Sequence, residues 1–329
     1  MPAVSDQAGY STAVIIVNYN AGAMLARCLE ALERQTFRDF HTIVVDNGSS
    51  DGSAEGIESR YPRVTLVRAG ENLGFAAGNN LGLQHAGAVQ WIALLNPDAY
   101  AAADWLERFV AAGDKAEFDF FGCGMRLADS PEILDGTGDV YHVSGVAWRR
   151  DHGARASAGA RDADEIFAPC AAAALYRRVD LEAVGGFDES YFCYFEDVDL
   201  AFRLRLRGLR CAYVPDAVVD HVSSGITGKR SDFATYHGHR NMVWTYVKDM
   251  PAPLFWLYLP LHLFANLLGV AVCALRGQFG VALRAKRDAL LGLPRVLRER
   301  RRVQAETRAG WRAIRAGMAR GLSTLWRRT

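Results

Sequence analysis

Two short acidic segments stand at the ends of apolar runs. Leu94-Leu95 leads into Asn96-Pro97-Asp98, and the aromatic-rich residues 191–195 lead into Glu196-Asp197-Val198-Asp199. A carboxylate at the first place can hold a divalent cation against a diphosphate and offset the charge that builds on a leaving phosphate. A carboxylate at the second, partly desolvated by neighbouring rings, can act as a general base. Both have plainer uses. Asp98 could cap a helix after a buried strand, and Glu196, Asp197 and Asp199 could complement a helix dipole. A third segment, Asp46-Asn47-Gly48-Ser49-Ser50-Asp51-Gly52, also follows an apolar run. Its glycines let backbone approach a ligand closely, and Asp46 can accept from the imide N–H of a pyrimidine. The plainer reading there is an Asx turn, with Asp51 as a helix cap.

The elements that must position these residues alternate. Residues 13–17 form a continuous β-branched run, the pattern of a buried parallel strand, and residues 41–45, 64–67 and 91–95 read as further strands. Met24, Leu25, Cys28, Leu29 and Leu32 recur at helical spacing, and residues 73–86 read as a second helix. Four such alternations predict a doubly wound, mostly parallel α/β sheet. Sheets of this kind bind ligands outside the strand C-termini, where all three segments fall. Farther on, residues 118–125 read as a strand, 139–150 as a hairpin and 149–165 as a polar Gly/Ala-rich loop. Residues 168–176 then return to strand character, and 197–206 form a helix with an acidic N-terminus. A strand at 212–215 precedes Asp220-His221-Val222-Ser223-Ser224-Gly225. No internal repeat is visible.

Taken in order, the Asp46, Asn96-Pro97-Asp98 and Glu196-Asp197 segments resemble the family 2 glycosyltransferases, inverting nucleotide-sugar-dependent enzymes with a GT-A fold, over roughly residues 12–250. The resemblance implies that the loop Asn18-Tyr19-Asn20 cups the nucleotide base and ribose, and that Asp46 contacts the base. In the rhamnosyltransferase-like branch a segment similar to residues 70–80, here with Asn72, Gly78 and Asn80, lines the nucleotide and diphosphate, where helix N-terminal N–H groups suit an anion. Asn96-Pro97-Asp98 takes the place of the family's Asp-x-Asp. With an amide first, Asp98 is left to carry most of the binding of Mg²⁺ or Mn²⁺, and Asn96 contacts substrate as a neutral donor. That departure recurs in the same branch and tilts the donor towards dTDP-L-rhamnose. Asp197 is implied as the base that deprotonates the acceptor hydroxyl, with Glu196 touching the acceptor. A related polymerising galactofuranosyltransferase uses a histidine in this region as a metal ligand, so His221 is expected to join Asp98. His237, His239, Arg240 and Asn241 read as an acceptor- or phosphate-facing surface, with Arg240 on the substrate.

With 329 residues, half of them hydrophobic, the chain can build one large α/β domain and an appendage without disulfides. Six scattered cysteines with no Cys-x-x-Cys pair fit a reducing compartment better than a metal cage. Residues 1–11 lack the layout of a secretory signal, so the cytoplasm is the expected side. The net charge of +1 hides an asymmetry: residues 276–329 hold 15 Lys/Arg against 3 Asp/Glu, and the body before them is net acidic. The stretch 254–275 carries no formal charge and is long enough to span a bilayer. A single crossing would part the basic tail from a body that uses cytosolic nucleotide sugar, although both favour the cytoplasmic side. Pro260, His262 and Asn266 also dilute the stretch. The expectation is a surface or shallowly inserted helix, peripheral or monotopic, on an anionic membrane rather than on nucleic acid. A span and a buried helix of the soluble fold are the alternatives. The expected division is a GT-A domain over 1–250 and a helical, basic, membrane-associating extension over 251–329.

The sequence therefore predicts inverting transfer of a sugar, L-rhamnose for preference, onto a lipid-linked or polysaccharide acceptor in cell-envelope glycan synthesis. A UDP-sugar donor is the rival within the class. A dinucleotide-binding Rossmann enzyme is disfavoured because the first βα turn, residues 18–22, lacks Gly-x-Gly-x-x-Gly. A non-catalytic membrane scaffold would be expected to lose Asp98 or Asp197, and this chain keeps both.

Overall fold

The computed structural model describes residues 9–156, 164–223 and 231–321. Ser224 and Gly225 of the motif after His221, and part of the expected 149–165 loop, lie outside the described residues. The first half is a parallel sheet of β1 (Thr12–Asn18), β2 (Phe40–Asp46), β3 (Val64–Arg68) and β4 (Trp91–Leu95), ordered β4-β1-β2-β3. Helices α1 (Ala23–Glu33), α2 (Ile57–Arg60) and α3 (Gly74–Gln84) fall between these strands. The apolar runs of β1, β2 and β4 are buried along nearly their whole length, as strands covered on both faces must be. The edge strand β3 is only half-buried. Asn18 and Asp46 end β1 and β2 side by side.

One core joins the sheet to α1 and α4 (Trp105–Asp114), and the other joins it to α3 and α6 (Glu196–Leu206). α3 lies directly on β1 because its contact residues are glycines. A Cβ on Gly82 would stand 2.4 Å from Ile15 Cγ2, and one on Gly78 would stand 2.7 Å from Val17 Cγ1. Gly78 is therefore a packing residue.

Beyond β4 the sheet continues through β11 (Ala173–Arg177), antiparallel to both its neighbours, into β6 (Phe120–Leu127) and β12 (Cys211–His221), which run parallel. β12 extends well past the expected 212–215. The period-2 signal broke at Pro215 and Asp216, which lie in a bulge between Val214 and Val218 where the ladder shifts. Three short strands edge this half: β5 (Ala99–Ala101) on the end of β12, β7 (Ser130–Gly136) on β6, and β10 (Glu165–Ile166) on the start of β12. A separate hairpin of β8 (Asp139–Tyr141) and β9 (Ala147–Arg149) sets Asp139 opposite Arg149. α5 (Arg178–Ala183) follows β11 directly.

The C-terminal helices are α7 (Asp232–Asp249), α8 (Ala252–Leu275), α9 (Phe279–Leu291), α10 (Leu293–Ala305) and α11 (Trp311–Gly317). They are stitched to the catalytic body. Arg300 Nη1 donates to the Val247 and Met250 carbonyls at the end of α7, 2.7 Å each, a cationic C-cap. Ile314 and Met318 enter the main core. Ala319 exchanges backbone hydrogen bonds with the hairpin, accepting from Val143 N–H at 3.1 Å and donating to the Tyr141 carbonyl at 2.9 Å.

α8 is long and apolar enough to cross a membrane, with mean hydropathy 1.8, yet only 11% of its most apolar window is buried. Its outward face carries Trp256, Leu257, Leu263, Phe264, Leu267 and Leu275, all exposed. Its polar side chains turn inward. His262 Nδ1 donates to the Ser144 carbonyl at 2.8 Å, and Asn266 Nδ2 donates to the His262 carbonyl at 2.8 Å while its Oδ1 accepts from Lys286.

Candidate active site

The C-terminal ends of β1, β2 and β4 open onto a cleft of about 980 Å³, closed on its far side by the hairpin and the start of α6. Asn72, Asn96, Asp98, Glu196, Asp197 and His221 all line it, so expected residues from four separate segments converge on one cleft.

The remaining expected contact residues have partners within the protein. Asn18 is buried, with its Nδ2 donating to Ser49 Oγ at 3.0 Å and Ser53 Oγ at 2.9 Å. Asn20 accepts from Ser50 N–H at 2.8 Å through its side chain. Both brace the loop after β2. Asp46 sits beside the cleft with Oδ1 accepting from Ser49 N–H at 3.2 Å, the Asx turn of the plainer reading. Asn80 ties α3 to the Phe187 backbone, donating to its carbonyl and accepting from its N–H, 2.9 Å each. Arg240 points at backbone carbonyls of residues 190 and 191 and away from the cleft. Asn47, buried next to Asp46 and not singled out from the sequence, does line the cleft. Its Oδ1 accepts from Leu73 N–H at 3.0 Å and its Nδ2 donates to Asn72 Oδ1 at 3.1 Å, which fixes the start of α3.

β5 explains how Asp98 meets His221 across more than a hundred residues. Asp98 immediately precedes β5, and β5 pairs with the end of β12 so that Ala99 faces His221. Val222 N–H then donates to the Asp98 carbonyl at 3.0 Å. His221 Nε2 stands 3.3 Å from Asp98 Oδ1, within ion-pair range but not aligned for a hydrogen bond, and both atoms are buried without a hydrogen-bond partner. His221 Nδ1 faces Asp135 Oδ2 at 2.9 Å. A carboxylate can only accept there, so Nδ1 carries a proton; with Nε2 deprotonated, the ring would offer its lone pair to an ion beside Asp98, the outer-shell arrangement common to metal-bound histidines. Two donors about 2.1 Å from one octahedral ion and at right angles lie about 3 Å apart, so this pair fits a small divalent cation. Burial alone would lower the His221 pKa, but Asp135 and Asp98 outweigh it and hold the pKa above its ordinary value.

Asp197 is half-buried on the cleft wall in the first turn of α6. Its Oδ1 accepts from Val198 N–H at 2.8 Å and its Oδ2 from Ala171 N–H at 3.3 Å. Burial raises its pKa against the pull of those N–H groups and Arg149. Its neighbour Glu196 is pushed much higher, first by burial and then by the Asp197 charge. Glu196 is thus held to its proton more firmly than Asp197, an order that suits Asp197 as the base of the two.

Between Asp197 and the cation site sits Arg149, which sequence reasoning did not single out. Its Nη1 meets Asp135 Oδ2 at 2.7 Å, its Nε faces Asp139 Oδ1 at 3.4 Å and its Nη2 donates to Cys170 Sγ at 2.8 Å. Asp139, Cys170 and Asp197 bring ligand-type atoms within 4.8 Å of one another. The guanidinium already supplies a cation to that cluster, which leaves Asp98 and His221 as the candidate pair for a divalent ion. Burial raises the Asp139 carboxyl to about 7 despite Arg149. The 139–150 hairpin carried the missed signal, since pairing its ends opposes Asp139 to Arg149. Asp135 carried none: it comes from β7, a strand on the sheet edge.

Comparison with known proteins follows the same lines. The sequence profile of glycosyl transferase family 2 matches residues 13–185. An N-acetylglucosaminyl-diphospho-decaprenol L-rhamnosyltransferase of Mycobacterium tuberculosis is 30% identical over 74% of this chain and 87% of its own. A galactofuranosyltransferase of the same organism is 30% identical over 64% of this chain and 70% of its own. Among solved structures, a mannosyltransferase from Pyrobaculum calidifontis, in complex with GDP-Man and Mn²⁺, superposes with a TM-score of 0.55 at 19% identity, covering 98% of this chain and 90% of that one. GalNAc-T7 with UDP, GalNAc and Mn²⁺ gives 0.60 at 16% identity over 74% of this chain. This chain spans about half of GalNAc-T7, 48% of its length. These two likenesses establish the GT-A fold. The chain belongs to glycosyl transferase family 2, with a rhamnosyltransferase-like sequence.

Proposed function

We propose that the chain is an inverting, metal-dependent transferase that moves L-rhamnose from dTDP-L-rhamnose to a polyprenyl-diphosphate-linked saccharide in cell-envelope glycan synthesis. The observation that carries the reading is one cleft with a buried Asp98–His221 pair, whose facing atoms have no hydrogen-bond partner, on one wall and a partly desolvated Asp197 on another. Asp98 and His221 would hold Mg²⁺ or Mn²⁺, which supplies charge neutralisation to the leaving diphosphate. Asn72 and Asn96 present neutral polar atoms along the donor. Asp197 takes the proton of the acceptor hydroxyl as that oxygen bonds to the anomeric carbon. The bond from that carbon to the diphosphate breaks on the opposite side, and the nucleoside diphosphate leaves with the electron pair. Glu196, whose pKa burial and the Asp197 charge push up, borders the acceptor and leaves its proton to Asp197.

The rhamnosyl donor and lipid-linked acceptor rest on the mycobacterial rhamnosyltransferase relative. The galactofuranosyltransferase relative favours a UDP-sugar as the second reading. We further assign residues 251–329 to membrane association on the cytoplasmic face, supported by the apolar outer face of α8 and the basic residues that follow it. Release of nucleoside diphosphate from a panel of nucleotide sugars, with and without chelator, tests the donor and the ion together. Release from dTDP-L-rhamnose that persists in excess chelator would remove the metal, and release from a UDP-sugar alone would transfer the donor to the second reading.

A further inference from the structure

The turn that leads into Asp197 has an uncommon backbone. Phe192, Tyr194 and Phe195 have φ of 66°, 65° and 68°, a left-handed region that large side chains rarely adopt. No glycine or asparagine in residues 191–196 favours it, so the surroundings must hold it. Two adjacent residues of α7 do so. Asn241, fully buried, directs its Nδ2 to three carbonyls: Tyr191 at 3.0 Å, Cys193 at 3.0 Å and Tyr194 at 2.7 Å. Arg240 donates to the Ser190 and Tyr191 carbonyls at 3.1 and 2.8 Å, and its Nε donates to Asn241 Oδ1 at 2.9 Å. That last bond fixes which end of the amide faces the turn. The guanidinium itself rests on the Trp244 ring, 4.3 Å from the centroid.

We propose that Arg240 and Asn241 are positioning residues for the general base. They hold the left-handed turn that starts α6 and so aim the Asp197 carboxylate into the cleft, while touching neither donor nor acceptor. This rests on the reading of Asp197 as the base. Both side chains act through backbone carbonyls, and Phe192, Tyr194 and Phe195 of the turn line the cleft. The Phe192 carbonyl is held from the other side by Phe75 and Ala76 N–H groups at the start of α3. The turn therefore hangs between the donor-side helix and α7, and its geometry answers to both.

The test is steady-state transfer by the full chain carrying Asn241→Ala. A base displaced by even an ångström loses about 10²-fold in rate, so kcat should fall by that order while the affinity for nucleoside diphosphate stays at the wild-type value. Tyr194→Gly supplies the discriminating background, because glycine adopts positive φ without strain. There, Asn241→Ala should cost about tenfold less in kcat than it does alone, a departure from additivity that a merely stabilising role would not produce. Arg240→Lys, which keeps the charge but loses the fork, should fall between wild type and Asn241→Ala and covers the case in which the alanine variant does not fold. Unchanged kcat per folded molecule in both variants, or strictly additive losses in the double variant, overturns the proposal. Full transfer by Asp197→Asn would instead overturn the base assignment beneath it.

Discussion

Helices α6 and α8 both break the usual pairing of polarity with burial, and they do so in opposite directions. α6 carries Asp199, Arg203 and Arg205 in the interior, whereas α8 turns Trp256, Leu267 and Leu275 outward at 70%, 71% and 89% exposure. The difference lies in where each group finds a partner. Arg203 Nε donates to Asp199 Oδ2 at 2.8 Å, Lys248 Nζ lies 2.5 Å from Asp199 Oδ1, and Arg205 Nη2 meets Glu165 Oε1 at 2.8 Å. Asp199, Arg203 and Arg205 each have an opposite charge from the protein itself, without which burial is prohibitive. α8 satisfies its few polar atoms inward and leaves a contiguous apolar face with no protein partner among the described residues, a surface that marks an interaction site. The partner we assign to it is lipid. His262, near the middle of α8, is anchored on Ser144 of the catalytic body. That anchor favours a helix lying along the membrane surface over one crossing it.

The contrast can be broken most severely at α6. Asp197→Asn keeps shape and removes proton acceptance, so transfer should drop on the order of 10²–10⁴-fold with donor binding preserved; wild-type turnover would move the base role elsewhere. Lys248→Met should leave Asp199 to Arg203 alone and Asp188 to the more distant Arg295, and lower stability by about 3 kcal/mol, read by urea unfolding. An unchanged midpoint would show that the α6 charges do not need their partners. Asp98→Ala should abolish Mn²⁺ binding in calorimetry and weaken nucleoside diphosphate binding with it, and His221→Ala should show a milder form of the same defect. A loss confined to the acceptor would take His221 out of the ligand set.

The α8 side should respond in the reverse sense. Leu263→Ser with Leu267→Ser alters exposed positions, so stability should stay within about 0.5 kcal/mol per site, while sedimentation with anionic vesicles falls. Retention equal to wild type would remove the lipid partner. Deleting residues 276–329 is the poorer experiment, since it also withdraws Arg300, Ile314 and Ala319 from the body. The smallest effect concerns pH. The folded-state pKa of Asp139 is raised to about 7, so its contribution to stability is full below the ordinary carboxylate range, declines as pH rises, and is gone above about 7. Asp139→Asn should match wild type near pH 4 and exceed it at pH 8 in urea midpoints; a pH-independent difference would show that its charge is not the cause.

The parallel half of the fold was legible because buried strands write themselves as β-branched runs and their ends carry the polar residues. Asp98, His221 and Asp197 were found through short motifs, and the structure sets them around one cleft. What stayed hidden depended on partners distant in sequence. β5 is only three residues long and has no period to read, yet it is what brings His221 to Asp98. Pro215 masked half of β12. Arg240 looked like a phosphate ligand because an arginine's type says nothing of whether it faces solvent, substrate or backbone. Gly78 and Asn80 matched a nucleotide-lining segment, but one packs on Val17 and the other ties down Phe187. Helix α8 was legible in length and apolarity; the inward turn of His262 and Asn266 was not, since both simply diluted the hydropathy.

The pairing of Ala319 with Tyr141 and Val143 bears on how the cleft becomes ordered. Ala319 follows α11, and the hairpin it pairs with carries Asp139 and Arg149. β1 to β4 pack without this contact, whereas the hairpin wall of the cleft gains it only once the C-terminal helices have packed, so the two walls need not become ordered together.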